Sequence, residues 1–388
     1  MHKKQIALAS LSHLCCDVNT GSLPAILPYL IAEHGLSYSA TSALMLANSS
    51  LSSFIQPLFG LLADRNPQTY FMPLGILIAG LAMASVGFVE NYWAIFCAVG
   101  LSGIGAALFH PAAMRFTNSV AGAKQGTGTS IFSIGGNIGF LIGPLLAVAL
   151  IEWCDLRGLG LLAPLALIMA LLIFYEIKHL PPKPKAPFGK SVQETHLKND
   201  WKAFNLMVIA VIFRSIIMIC FRVFFPLYLI ANFSQSKSAA AVALTIFGLS
   251  GIIGNILGGL LADRYGYSII VKITYLLLIP CLVVFPFLEN LVLIYIDLII
   301  IAFMVYASYS PIVVLGQKYL PNHVGFSAGI TLGLSISIGG LFSPVLGLVA
   351  DTYGLLYVFY ALSIFASLGF LFTLLLPKPN YQAYEVAL

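Results

Sequence analysis

His13 and Asp17 stand four residues apart inside an apolar run that reaches from Ile6 to Ala32. That spacing places both on one face of a helix. A carboxylate beside an imidazole can hold a proton and hand it on, and a change in hydration changes how tightly the carboxylate keeps it. Asp17 lies about eleven residues into its run, roughly 16 Å deep at about 1.5 Å per residue. An ionisable group at that depth in a bilayer costs about 2.5–3.5 kcal/mol and is a functional candidate by default. Asp17 is therefore the expected proton carrier, with His13 as partner or relay. Fixing helix packing through hydrogen bonds is the plainer role open to the same pair.

Anion recognition is the second chemistry on offer. Arg214 lies about as deep in a later run, and Arg222 follows eight residues on, on a similar face. A guanidinium keeps its charge and grips a carboxylate or phosphonate with two hydrogen bonds. Arg214 and Arg222 are expected to meet an anionic substrate, with His110, Asn48, Asn137 and Asp297 as further substrate candidates. Internal pairing, of Arg214 with Asp17 and of Arg222 with Asp297, is the other use of these charges. Helix-to-helix hydrogen bonds account equally well for Asn48, Asn137 and Gln56.

These side chains need membrane-spanning elements to hold them. Of 388 residues, 60% are hydrophobic and 9% charged, against roughly 25% charged in soluble domains. Twelve apolar segments are long enough to span a bilayer, which takes about 20 residues. They cover 6–32, 38–63, 70–89, 92–117, 125–151, 158–179, 203–231, 239–262, 268–288, 290–316, 324–350 and 355–377. The first run is too long for a signal-peptide core of about 7–15 residues. Fifteen Lys and Arg residues fall on the connections of one side, and only Arg157 and Lys237 on the other. Both termini are therefore expected in the cytoplasm, in a multi-pass protein of the inner membrane. The net charge of +5 is no sign of nucleic-acid binding, because the basic residues gather on no single polar element. The six cysteines form no C-x-x-C pair, and neither a metal site nor a disulfide framework is expected.

The hexapeptide Gly60-Leu61-Leu62-Ala63-Asp64-Arg65 returns letter for letter as Gly259 to Arg264, 199 positions on (259 − 60). Tyr29-Leu30-Ile31 returns as Tyr228-Leu229-Ile230 at the same offset. The chain thus reads as two related halves: a six-helix bundle over 1–180, a Pro-rich basic linker over 181–201, and a second bundle over 202–388. The fold class is all-α with twelve transmembrane helices in two pseudo-symmetric bundles, an arrangement that places a binding site at midplane. Asp64, Arg65, Arg115, Asp263 and Arg264 stand at helix ends on the basic side and are expected to latch the halves together there. Gly139 and Gly143 form a G-x-x-x-G followed by Pro144, suited to close helix approach and a bend.

Several segments together resemble the major facilitator superfamily, and within it the fosmidomycin-resistance-type efflux proteins. They are Ser10 to Asp17, Gln56-Pro57, Asp64-Arg65-Asn66-Pro67, Gly103-Ile104-Gly105, Phe109-His110-Pro111, Ser130-Ile131-Phe132, Gly135-Gly136-Asn137, Gly143-Pro144, Leu320-Pro321 and Gly339-Gly340. Three departures stand out: Ala112 follows His-Pro where the family commonly has a carboxylate, Cys16 precedes Asp17 where Asn is common, and Pro67 follows Asp-Arg. The resemblance implies a proton-coupled antiporter exporting small anionic or amphipathic organic compounds, such as antibiotics, phosphonates or secreted organic acids. No cofactor beyond the proton gradient is expected, and the protein is expected to function as a monomer in the lipid bilayer. A symporter importing an organic anion uses the same fold. An enzyme is not expected, because His13, Asp17 and His110 are the only candidates and the sequence has neither metal-ligand spacing nor a G-x-S-x-G.

Overall fold

A computed structural model describes residues 2–65, 70–121, 125–179, 198–323, 326–327, 330–331 and 335–377, with the backbone alone at 50–54, 56–58, 60–65, 125–127, 129 and 335–337. Those residues form helices and short links, and no strand occurs among them. The first six passes are α1 (Lys3–His34), α2 (Tyr38–Arg65), α3 (Phe71–Ser85), α4 (Tyr92–Ala121), α5 (Gln125–Cys154) and α6 (Leu162–His179). The second six are α7 (Trp201–Phe233), α8 (Lys237–Tyr265), α9 (Tyr267–Val284), α10 with α11 (Leu291–Ala307 and Tyr309–Tyr319), α12 (Ser335–Tyr353) and α13 (Leu355–Leu374). The expected linker lies largely outside the described residues, as do the side chains of Asp64, Arg65 and Gln56.

The tenth pass was expected as one helix, and it breaks at Ser308. Pro311 explains the break: it has no N–H for the Ala307 carbonyl and its ring crowds that carbonyl. The Ser308 hydroxyl turns back to the Val305 carbonyl at 3.0 Å. Pro111 interrupts the hydrogen bonding of α4 in the same way, yet α4 stays continuous.

The 199-residue repeat reaches into the backbone. Left-handed residues end the first and seventh passes at Gly35 (φ 60°) and Ser234 (φ 50°). The next helix opens on Ser37 and Ser236, whose hydroxyls accept from the amides of Ala40 and Ala239 at 3.1 and 3.0 Å. Short 3-10 turns follow α3 and α9 at Val86–Phe88 and Phe285–Phe287. Asn91 and Asn290 then cap the next helices, accepting from Trp93 and Val292 at 2.9 and 2.8 Å. Capping satisfies amides that a helix N-terminus leaves open. Each pair lies 199 apart, so the two copies share their punctuation as well as their hydropathy.

By their internal contacts the residues form two compact units. The first holds Met1–Lys185 with Phe225–Thr245 and Ser343–Leu348; the second holds Ala186–Phe224, Ile246–Phe342 and Val349–Leu388. This grouping differs from the expected split at the linker because the start of α8 is fastened to α1 and α5. Ala241 and Leu244 pack on Ala25 and Val148, with Tyr29 beside them. Thr245 donates to the Leu141 carbonyl at 3.0 Å, Ser238 hydrogen-bonds Glu152, and the Lys237 ammonium lies 4.2 Å from the centre of the Tyr29 ring. Within the first unit, Ile76, Ala106, Phe109, Phe116 and Phe132 belong to one apolar core that encloses Cys15 and Cys16 of α1.

Candidate proton and anion sites

The first site sits in the middle of α1, where that helix crosses α4 and α5. Glycines on α5 allow the approach. A methyl group on Gly139 would stand 2.6 Å from the Leu14 carbonyl, and one on Gly143 would stand 2.8 Å from the Val18 carbonyl. Both glycines expected to pack helices therefore meet α1. Phe132 and Gly136 on the same helix then face His13 and Asp17.

Asp17 is 3% exposed, and each carboxylate oxygen meets a histidine. Oδ2 is 3.1 Å from His13 Nε2 and Oδ1 is 3.0 Å from His110 Nε2. His13 is clamped: its ring stacks on Phe132 at 4.0 Å between centroids, and its Nδ1 lies 2.9 Å from the Phe132 carbonyl. A carbonyl only accepts, so Nδ1 carries a hydrogen. Nε2 then faces a carboxylate oxygen at hydrogen-bond distance, which requires a further proton in that gap. Without it, two lone pairs would oppose each other. The cluster is thus complete with one proton shared between His13 and Asp17, and His110 donates to the other oxygen. Among described residues, these three ligating groups have donor atoms within 4.8 Å of one another, close enough for a divalent cation. That arrangement was invisible to local spacing, since His110 comes from α4.

His110, expected at the substrate, is a member of this cluster. Gly136 had no expected role beyond the family pattern, and it has a defined one. A methyl there would stand 2.6 Å from His13 Nε2 and 2.7 Å from Asp17 Oδ2, inside the hydrogen bond. Gly136→Ala should therefore lower transport under an imposed pH gradient on the order of tenfold, the loss of one charge-assisted hydrogen bond. Initial rates in vesicles, taken on protein that elutes as a single species, measure it.

Arg214 anchors the second site, in α7. It is the largest fully buried side chain among the described residues, 1% exposed. Its Nη1 reaches the Val305 carbonyl only at 3.4 Å, its guanidinium carbon lies 5.0 Å from the centre of the Tyr309 ring, and Nε has no hydrogen-bond partner among the described residues. A buried guanidinium whose Nε–H has no partner is costly unless an anion completes it. Tyr309 stands 199 residues after His110. The first helix of each repeat thus sets a charged side chain against the same repeat position, carboxylate on imidazole in one and guanidinium on phenol in the other.

Four further residues expected at the substrate have these surroundings. Asn48 is 2% exposed and donates to the Val99 carbonyl at 3.1 Å, joining α2 to α4. Asp297 lies against the Cys281 thiol of α9, and its Oδ2 has no hydrogen-bond partner among the described residues. Asn137 is exposed on α5. Arg222 is partly buried and engaged with its surroundings. Asn48→Ala should destabilise the protein by about 1 kcal/mol, one buried hydrogen bond, and leave KM unchanged. Thermal unfolding alongside transport kinetics separates the two effects.

Of the expected latch residues, Arg115 is partly buried and engaged. Asp263 is bonded by the Tyr267 hydroxyl one turn on, with Lys318 stacked at 4.7 Å on the Tyr267 ring. Arg264 lies over Tyr265 at 5.3 Å, and Gly266 (φ 99°) makes the tight link from α8 to α9. In the second copy the Asp-Arg motif organises its own turn.

Twelve apolar passes built from two copies of one pattern, with ionisable groups buried in the first helix of each, define a membrane transporter and not an enzyme. The chain belongs to the Major Facilitator Superfamily, whose profile matches residues 9–344. It is 28% identical over 381 residues to the fosmidomycin resistance protein of Escherichia coli strain K12, covering 96% of this chain and 92% of that one. It is 22% identical over 354 residues to the quinolone resistance protein NorA of Staphylococcus aureus strain MSSA476, covering 88% and 89%. Among solved structures it resembles a bacterial homologue of the human lysosomal transporter Spinster, in an inward-facing, unoccupied conformation. The TM-score is 0.82 at 15% identity, over 98% of both chains.

Proposed function

We propose that this protein is a proton-coupled antiporter that exports small organic anions, with the His13–Asp17–His110 cluster as its proton site and Arg214 as its anion contact. Both termini then lie in the cytoplasm of a cell whose inner membrane supplies the proton gradient. The observation that carries the reading is the gap between His13 and Asp17. Its two outer hydrogen bonds are fixed, so the gap is closed by a proton. Loss of that proton leaves Nε2 facing a bare carboxylate, and His13 relieves the repulsion by leaving the Phe132 carbonyl. Proton occupancy is thereby tied to the contact of α1 with α5. Arg214 supports an anionic substrate because its buried charge lacks an acidic partner among the described residues. The resistance proteins among its relatives favour export, and phosphonates head the candidate substrates.

The test is reconstitution into proteoliposomes with an imposed pH gradient, screened with fosmidomycin, other phosphonates, organic acids and quinolones. Uphill movement of an anion against proton flow is expected. Substrate movement with no accompanying proton flux, or movement in the same direction as the proton, would overturn antiport.

A further inference from the structure

A cavity of about 610 Å³ opens beside the end of α3 and the link from α5 to α6. Successive passes reverse direction, so this end of the first unit lies at the membrane face opposite the chain's start. Leu81, Phe88, Trp153, Arg157, Leu161 and Ala163 line it. We propose that this groove binds one membrane phospholipid with a primary-ammonium headgroup, of the phosphatidylethanolamine class. Its phosphodiester sits on Arg157, its ammonium among Glu90 and Asp155, and an acyl chain lies along Leu81, Phe88 and Leu161.

The groove is held open by close backbone packing. A methyl on Gly87 would stand 2.1 Å from the Leu156 carbonyl, and one on Gly158 would stand 1.9 Å from the Leu150 carbonyl. The first contact fixes the Val86–Phe88 turn against the Asp155–Leu161 turn, the second fixes that turn against the end of α5, and Asp155 is left-handed (φ 53°) where the chain reverses. The lining is at lipid-headgroup level by its own composition. Trp153 is 76% exposed, and tryptophan rings collect at the membrane interface.

Charge selects the occupant. This face carries two basic residues, Arg157 and Lys237, and Lys237 is stacked on Tyr29. Arg157 is exposed and takes part in no ion pair among the described residues. A guanidinium of that kind suits a phosphate oxygen pair. Glu90, two residues from the lining Phe88, and Asp155, next to the lining Cys154, are exposed and acidic. They repel a soluble anion or a net-anionic lipid, and they accept hydrogen bonds from an ammonium. A trimethylated headgroup has no N–H to donate.

The test uses the full chain with Trp93→Phe and Trp201→Phe, which leaves Trp153 as its sole tryptophan. The protein is placed in phosphatidylcholine bilayers carrying brominated phosphatidylethanolamine, phosphatidylglycerol or phosphatidylcholine. Half-quenching of Trp153 is expected at about fivefold lower mole fraction for the ethanolamine lipid than for the other two, the effect of one exposed ion pair. Arg157→Gln should remove the preference, and Ala163→Phe, which fills the groove and keeps the arginine, should remove it as well. Equal quenching by all three lipids, stronger quenching by phosphatidylglycerol, or a preference untouched by both substitutions overturns the proposal. So does relief of quenching by millimolar inorganic phosphate or soluble phosphoethanolamine, which would mark a site for a soluble ion.

Discussion

With Asp17 replaced by asparagine, uphill transport driven by a pH gradient is expected to fall to the level of protein-free vesicles, while exchange of substrate for substrate continues. The amide is the same shape as the carboxyl group. Its N–H₂ donates to His13 Nε2 and its oxygen accepts from His110, so both 3.0–3.1 Å contacts persist. The substitution thus keeps the packing of α1 against α4 and α5 and deletes the exchangeable proton. Exchange needs no net proton movement, which is why it survives. Uptake of labelled substrate with and without a gradient, on one preparation, gives both numbers. Undiminished uphill transport would remove Asp17 from the proton route. Loss of both activities with normal elution would mean that Asp17 acts on the substrate directly.

Replacing Arg214 with alanine has the second largest expected effect. A charge-assisted contact is worth about 1.5–3 kcal/mol, so an anionic substrate should bind about 10- to 100-fold more weakly. A neutral substrate of the same shape should be unaffected or bind better, because a buried, half-satisfied charge has gone. Arg214→Lys should restore part of the anion affinity, since the ammonium keeps the charge and loses the two-pronged geometry. Equilibrium binding of a matched anionic and neutral pair decides the matter. Equal affinity of the variant and the unaltered protein for the anion would place the anion contact elsewhere.

The fold was legible in the sequence because a bilayer demands long apolar runs and the repeat returns at a fixed offset. Even the caps follow that offset, as Gly35 with Ser234 and Asn91 with Asn290 show. Less was legible about the site. His13 and Asp17 share a helix face, so their pairing follows from spacing alone. His110 lies 93 residues further on, and nothing local says that α4 brings it to Asp17. Position within a span did not name the partners of Asn48 and Asp297. A polar residue inside a span meets whichever neighbour packing supplies, and here those neighbours are Val99 and Cys281. Gly136 carried a signal in the Gly135-Gly136 pair, but only the position of the His13 ring reveals what the missing side chain makes room for.

The most direct test of proton exchange at Asp17 needs no vesicles. Purified protein in weakly buffered detergent is mixed with the anion that the transport screen selects, and bulk pH is followed as binding is titrated. Release of a proton with each anion bound is expected, and none from the Asp17→Asn variant at matched occupancy. Saturable binding that leaves the pH unchanged in the unaltered protein, or the same release from the variant, would contradict it.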